Sequence, residues 1–282
     1  SVPSSASILS IDEITVNVRS NTDGTAFSRN PIIYVFPIHL TEHGPISIEG
    51  SFGGADGVIG GSGTEADPYL IEGWDIQANG LNGVEISNTN VYFVVSNCLI
   101  RNGFNGINLT NVHNGRIENV ITSFTGDWGI VLNSSNEWEN SQNNRIKMYV
   151  SYKDYAGIHL LAYSDNNVIE HIYIHEPYYS GILFDEAWNN LVANASINKA
   201  GIYGIADYGG MYNEIRDSLI ENCHFGIAIY SCSRLVIYNN LFNNSVNFDV
   251  SDSSKISWNT TKTLGVNIVG GPYLGGNYWS DY

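Results

Sequence analysis

Positive charge is scarce in this 282-residue chain: 12 Lys and Arg stand against 28 Asp and Glu, a formal net charge of −16. An anionic surface of that size repels phosphate backbones and acidic lipid headgroups, which excludes nucleic acid and anionic membranes as partners. Charge of either sign is thin, at 14% of residues against a usual value of about 25%. Asn, Ser, Gly and Tyr take its place, so the polar surface is built of neutral amides and hydroxyls. Cysteine is nearly absent. Cys98, Cys223 and Cys232 are too few and too odd for a disulfide framework, and no CxxC or Cys/His spacing suggests zinc. Two states stay open, a Cys223–Cys232 bridge or three buried thiols. No apolar run reaches the length of a membrane-spanning helix. No leader is visible, and the opening SVPSSAS fits the end left after one has been cut away. No window carries a 3.6-residue apolar stripe, which argues against amphipathic helices.

What is present is a repeat. Gly followed by Ile or Val, a variable residue and usually an aliphatic one occurs at Gly83, Gly106, Gly129, Gly157, Gly181, Gly204 and Gly226, at intervals of 23, 23, 28, 24, 23 and 22 residues. The long interval holds an insertion near Glu137–Gln142. Asparagines follow at nearly constant offsets (Asn90, Asn114, Asn136, Asn166, Asn167, Asn189, Asn190, Asn213). A second short strand then opens at Ile117, Ile146, Ile169, Val192, Ile215 and Ile237. A 23-residue unit of short strands cannot bury its own aliphatic face; stacked units can. The expected fold is all-β, a right-handed parallel β-helix of about seven rungs, some 30–35 Å long at about 4.8 Å per rung. Residues 1–73 lack the motif and are expected to cap the rod, with strand-like runs at Ile8–Val18 and Ile32–Leu40. Residues 74–250 form the helix, and 251–282 a rung remnant and an aromatic, Gly-rich cap. Glycine is expected to permit the tight corners and asparagine to form hydrogen-bonded ladders.

Stacking turns like positions into columns. Two residues after the motif glycine the outward column reads Glu85, Asn108, Val131, His159, Leu183, Ala206, Ala228; four after, Ser87, Thr110, Asn133, Leu161, Asp185, Tyr208, Tyr230. Neither column sets two acids on adjacent rungs, as a glycoside hydrolase requires. The reading therefore leans away from an enzyme and assigns no catalytic residue. The second strand offers Glu118, Lys147 and Glu170 on successive rungs: a cross-strand salt-bridge ladder, or a lyase base between two acids. His159, His171 and His175 are expected on different faces, so no metal site is assigned. Asp185 and Glu186 offer a cation such as calcium two carboxylates, or form a solvated turn; no other cofactor is called for. Aromatic rings fall within two residues of six successive glycines, at Phe104, Trp128, Tyr155, Tyr179, Tyr203 and Phe225. They either seal one corner or offer a stripe for sugar stacking or self-association. N-glycosylation sequons begin at Asn108, Asn133, Asn194, Asn243 and Asn259 and point to an extracellular chain.

The stretch Gly60-Gly-Ser-Gly-Thr-Glu-Ala-Asp-Pro-Tyr-Leu-Ile-Glu-Gly-Trp-Asp-Ile76, the Gly-Ile/Asn rungs and Gly275-Gly-Asn-Tyr-Trp-Ser-Asp-Tyr282 resemble NosD-type parallel β-helix repeat proteins. These sit within a wider class of carbohydrate-binding and sugar-hydrolase β-helices, and secreted archaeal members look most alike. The resemblance covers roughly residues 45–282. It implies a right-handed β-helix, secretion and carbohydrate contact; periplasmic metal-handling relatives add copper or calcium as ligands. From all this the first expectation is a non-enzymatic extracellular protein. It would be a filament, sheath or surface-layer subunit that assembles with its own kind or with cell-surface components, through Ser7–Val18 and the aromatic column. The alternative is a carbohydrate-binding or polysaccharide-degrading β-helix.

Overall fold

The computed structural model describes residues 40–281 and two short strands, Asn17–Arg19 and Ala26–Ser28, which pair antiparallel. The runs Ile8–Val18 and Ile32–Leu40, and the edge-adding segment Ser7–Val18, lie almost wholly outside the described residues. The body is an all-β parallel solenoid with two main sheets. One has nine parallel strands running in chain order from Ile46–Glu49 to Val246–Ser251. The other has fifteen strands. Its early members are long and bent, such as Gly115–Ser123, and its later ones are split in two, as in Val168–Glu170 and Tyr173–His175. It therefore folds around an edge, and each coil presents three faces.

Register follows the motif. Val84, Ile107, Ile130, Ile158, Ile182, Ile205 and Ile227 lie opposite one another on successive rungs, fully buried. Each such aliphatic contributes about 1.5–3 kcal/mol by burial, and no rung could bury it alone. Seven of the nine strands carry the glycine motif; the two end strands do not. The reason differs from the expected one. A Cβ on Gly106, Gly157 or Gly181 would stand 2.4–2.5 Å from the carbonyl oxygen of the next motif glycine. The glycine is there for close approach between coils. At the last strand Asn247 takes that place, opposite Gly226, and no described strand stacks beyond it.

The corners belong to other residues. Asn97, Asn119, Met148, His171, Asn194, Asp217 and Asn239 hold φ of 49–55° where the larger sheet bends. Asn102, Phe124, Lys153, Glu176, Lys199 and Asn222 hold φ of 53–58° at the turn into the nine-stranded sheet. Asn and Asp accept this left-handed conformation most readily among residues with a Cβ. The asparagine ladder exists: it runs through the expected Asn167, Asn190 and Asn213 and is joined by Asn144 in place of Asn136. Each of Asn167, Asn190 and Asn213 turns its Oδ1 to the backbone N–H of the preceding ladder member, at 2.8–2.9 Å, and all four are buried. The three cysteines are free and buried; Cys223 and Cys232 are not bridged. At the far end Trp279 stacks on Phe242 with ring centroids 4.7 Å apart and closes part of the core.

Candidate functional site: the outer face of the nine-stranded sheet

Alternation points the variable residues of each motif away from the core, and the register places them in lines. Glu85, Asn108, Val131, His159, Leu183, Ala206, Ala228 and Asp249 stand opposite one another in that order. The line is open where it begins and closed where it continues: Leu183, Ala206 and Ala228 are buried although they face outward. They form a small second core roofed by Trp128 and Tyr203 from one side and by Tyr208 and Tyr230 from the other. The Tyr203 hydroxyl meets those of Tyr208 and Tyr230 across the floor. The Tyr230 hydroxyl also donates to Asp249 Oδ2 at 2.6 Å. Burial, then these neighbours, raise the phenol pKa of Tyr208 and Tyr230 well above the ordinary value, so the network stays protonated. Small floor residues are what let rings from both sides meet.

The six aromatics divide. Tyr155, Tyr179, Tyr203 and Phe225 form a continuous run on successive rungs, with neighbouring centroids 5.6–5.9 Å apart. Tyr155 is 39% exposed and its second neighbour, Tyr178, 75%. Trp128 instead turns onto His159, 4.1 Å between rings. Phe104 stands apart, exposed, and lines a shallow cleft of about 300 Å³ with Leu81, Glu85 and Pro45. The rings therefore differ: Trp128 and Tyr203 roof the second core, while Tyr155 and Tyr178 are open to solvent. Further exposed rings escaped the repeat. Trp138 on the insertion loop, Tyr163, Trp188 and Tyr212 follow the strands of this sheet in turns of unequal length, so no fixed offset marks them.

His159 is buried with neither ring nitrogen hydrogen-bonded, and burial lowers its pKa to about 4. His171 and His175 belong to the other sheet, His171 at its corner and His175 at the end of the strand Tyr173–His175. Glu118, Lys147 and Glu170 stand opposite one another, yet the ladder of ion pairs is not theirs. Glu170 takes Arg145, and Glu118 takes Arg116 at 3.7 Å. A sign-alternating ladder forms instead at the corner, where Glu176 meets Lys199 at 2.9 Å and Lys153 at 3.7 Å. Lys153, Glu176 and Lys199 hold the same left-handed corner position on successive rungs, which lines them up along one edge. Register also shows one facing carboxylate pair that precedes the first motif, Glu42 opposite Asp75. Asp75 is held there by Arg101 through both oxygens, at 2.5 and 2.6 Å. Among the sequons Asn243 and Asn259 are exposed; Asn108, Asn133 and Asn194 are half-buried, Asn108 donating to Glu85 at 3.3 Å. Asp185 is half-buried and Glu186 exposed.

The model of the family described as periplasmic copper-binding protein (NosD) matches residues 75–282. The chain belongs to the NosD family. No curated protein matches it. Among solved structures, a variant of the periplasmic alginate epimerase AlgG is similar with a TM-score of 0.59 at 14% identity, over 67% of this chain and 59% of that one. The NosD-family chain thus spans less than two thirds of the epimerase. Pectate lyase Pel9A follows the same course with a TM-score of 0.53 at 11% identity, over 76% and 68% of the two chains. An alginate lyase from a Paenibacillus species does so with 0.51 at 12%, over 84% and 85%. Identities this low establish a shared β-helix fold. No helix among the described residues is long and apolar enough to cross a membrane.

Copper, which the family's description names, does not fit the donors described in this NosD-family chain. No group of three or more His, Cys, Asp or Glu among the described residues could hold a metal ion. The thiols, which must ionise to ligate, are pushed by burial up to about 11 at Cys98 and about 12 at Cys223 and Cys232.

Proposed function

We propose that this chain binds a polysaccharide, outside the cytoplasm, along the outer face of the nine-stranded sheet. The observation that carries the proposal is the run of rings Tyr155, Tyr179, Tyr203 and Phe225. They repeat once per rung down an accessible edge, with Tyr155 and Tyr178 open to solvent. Rungs are about 4.8 Å apart, close to the length of one sugar residue, so a glycan lying along the rod meets equivalent rings at equivalent places. Aromatic faces stack on the C–H surfaces of sugars while the phenol hydroxyls bond their hydroxyls. The comparisons favour this reading: the fold neighbours named above act on polysaccharides, and none is a filament, sheath or surface-layer subunit.

Binding without turnover fits the register, because no two acids face each other on adjacent strands of this sheet. Affinity electrophoresis through gels containing a panel of soluble polysaccharides tests it. Retardation by at least one polymer is expected, reduced in Tyr155→Ala and Tyr178→Ala, with no new reducing ends or unsaturated products. Migration unchanged in every gel would refute the reading.

A further inference from the structure

The face that carries the aromatic run has an uneven charge. None of the nine strands from Ile46–Glu49 to Val246–Ser251 contains a lysine or an arginine. Their outward positions do contain acids: Glu85 at one end, Asp185 beside the tyrosine pair, and Asp249 on the Tyr230 hydroxyl. The cations nearest in the chain lie off the strands: Lys153 and Lys199 at the preceding corner, both engaged with Glu176, and Arg234 and Lys255 in the turns that follow, Arg234 lying over the Tyr212 ring. Arg101, Arg145 and Arg216 belong to the larger sheet, each against a carboxylate. The one base on the face, His159, is buried under Trp128 and neutral above about pH 4. Nor do the described acids gather into a group that could hold a bridging cation.

We infer that the glycan taken by this face is uncharged: a neutral hexose or N-acetylhexosamine polymer and not a uronate. The inference rests on the polysaccharide-binding reading and narrows it. A polymer with one carboxylate per residue would lay a row of negative charges along strands that offer acids and no lysine or arginine, at a repulsion each sugar repeats. A neutral polymer meets partners it can use. Glu85 and Asp185 accept hydroxyl protons, Asn108, Thr110 and Asn133 both donate and accept, and the rings cover the apolar faces. The net charge of −16 adds a long-range field of the same sign.

The test uses the whole chain and calorimetric titration with defined hexasaccharides at low and high salt. The neutral set is built of glucose, mannose, galactose or N-acetylglucosamine; the uronate set is oligomannuronate and oligogalacturonate, each with and without calcium. The expected result is binding of at least one neutral hexasaccharide, unchanged by salt because no ion pair is formed. Tyr155→Ala should weaken it about tenfold, the size of one lost stacking contact. Uronates should bind no better than the background. If uronates bind as tightly as the neutral set or more so, weakening with salt or strengthening with calcium, the inference is overturned while polysaccharide binding stands. If neither set binds, the polysaccharide reading itself falls and takes the inference with it.

Discussion

Asp207 occupies an inward position of the strand Tyr203–Tyr208, between Phe184 on one rung and Ile229 on the next, and is fully buried. Its carboxylate accepts Asn213 Nδ2 at 2.9 Å and the Cys232 thiol at 3.3 Å. These bonds only partly offset desolvation, and the pKa rises from 3.8 to about 6. Two pKa units correspond to roughly 3 kcal/mol. The folded state holds the proton more tightly than the unfolded chain. Asp207 therefore stabilises most below pH 3.8, and that contribution is lost as pH rises through about 6. Asp207→Asn removes the titration. Its Oδ1 can still accept from Asn213, which leaves the N–H₂ facing the Gly210 N–H and the Cys232 thiol, a mismatch worth about 1–3 kcal/mol at every pH. The stability of the variant minus that of the wild type should then climb by roughly 3 kcal/mol between about pH 3 and pH 7. Taking the difference cancels every other titrating group. Urea unfolding followed by far-ultraviolet circular dichroism at half-unit pH steps measures it. A difference that stays flat across the range would show that folding leaves the Asp207 pKa at its unfolded value and refute the reasoning.

The buried imidazole of His159 acts in the opposite sense. Its pKa falls from 6.5 to about 4, so its contribution is present above 6.5 and is lost as pH drops through about 4. His159→Leu, which matches Leu183 on the next rung, should flatten the fall in melting temperature on acidification from pH 7 to pH 5; an unchanged fall would count against a buried neutral histidine. Gly129→Ala would set a Cβ 2.0 Å from the Tyr149 hydroxyl and 2.8 Å from Asp154 Oδ2. It should destabilise by about 3 kcal/mol or more, and adding Tyr149→Phe, which removes the nearest clashing atom, should restore part of the loss in a thermal melt. The thiols of Cys98, Cys223 and Cys232 are buried with pKa values of about 11–12. A disulfide reagent at pH 8 should leave the native protein unlabelled and label it at three sites in denaturant; rapid native labelling would contradict the packing.

Much of the fold can be read from the glycine spacing. An interval near 23 residues sets which residues become neighbours, and the columns through Glu85, Asn108 and Val131 or through Glu118, Lys147 and Glu170 coincide with the pairing observed. Register is determined so early because slipping a coil by one residue would turn every buried isoleucine outward. Side-chain direction at the edges is another matter. Tyr155 and Tyr203 look alike in the repeat, but their spacing to the glycine differs by one residue; Tyr203 closes over Ala206 and Ala228 while Tyr155 stays open. Lys153, Glu176 and Lys199 carry no motif and become an ion-pair ladder only because left-handed corners align them.

The sequence by itself determined the coil, its period and its sign of charge, since stacking needs only a repeated unit whose apolar face no single rung can bury. Tertiary structure decided which tyrosines roof a second core and which face solvent. It also decided which carboxylates find a guanidinium, and that the aromatic edge borders a face without a single lysine or arginine. Those outcomes depend on the direction of individual side chains across neighbouring rungs, which contact and burial settle only once the coils are in place.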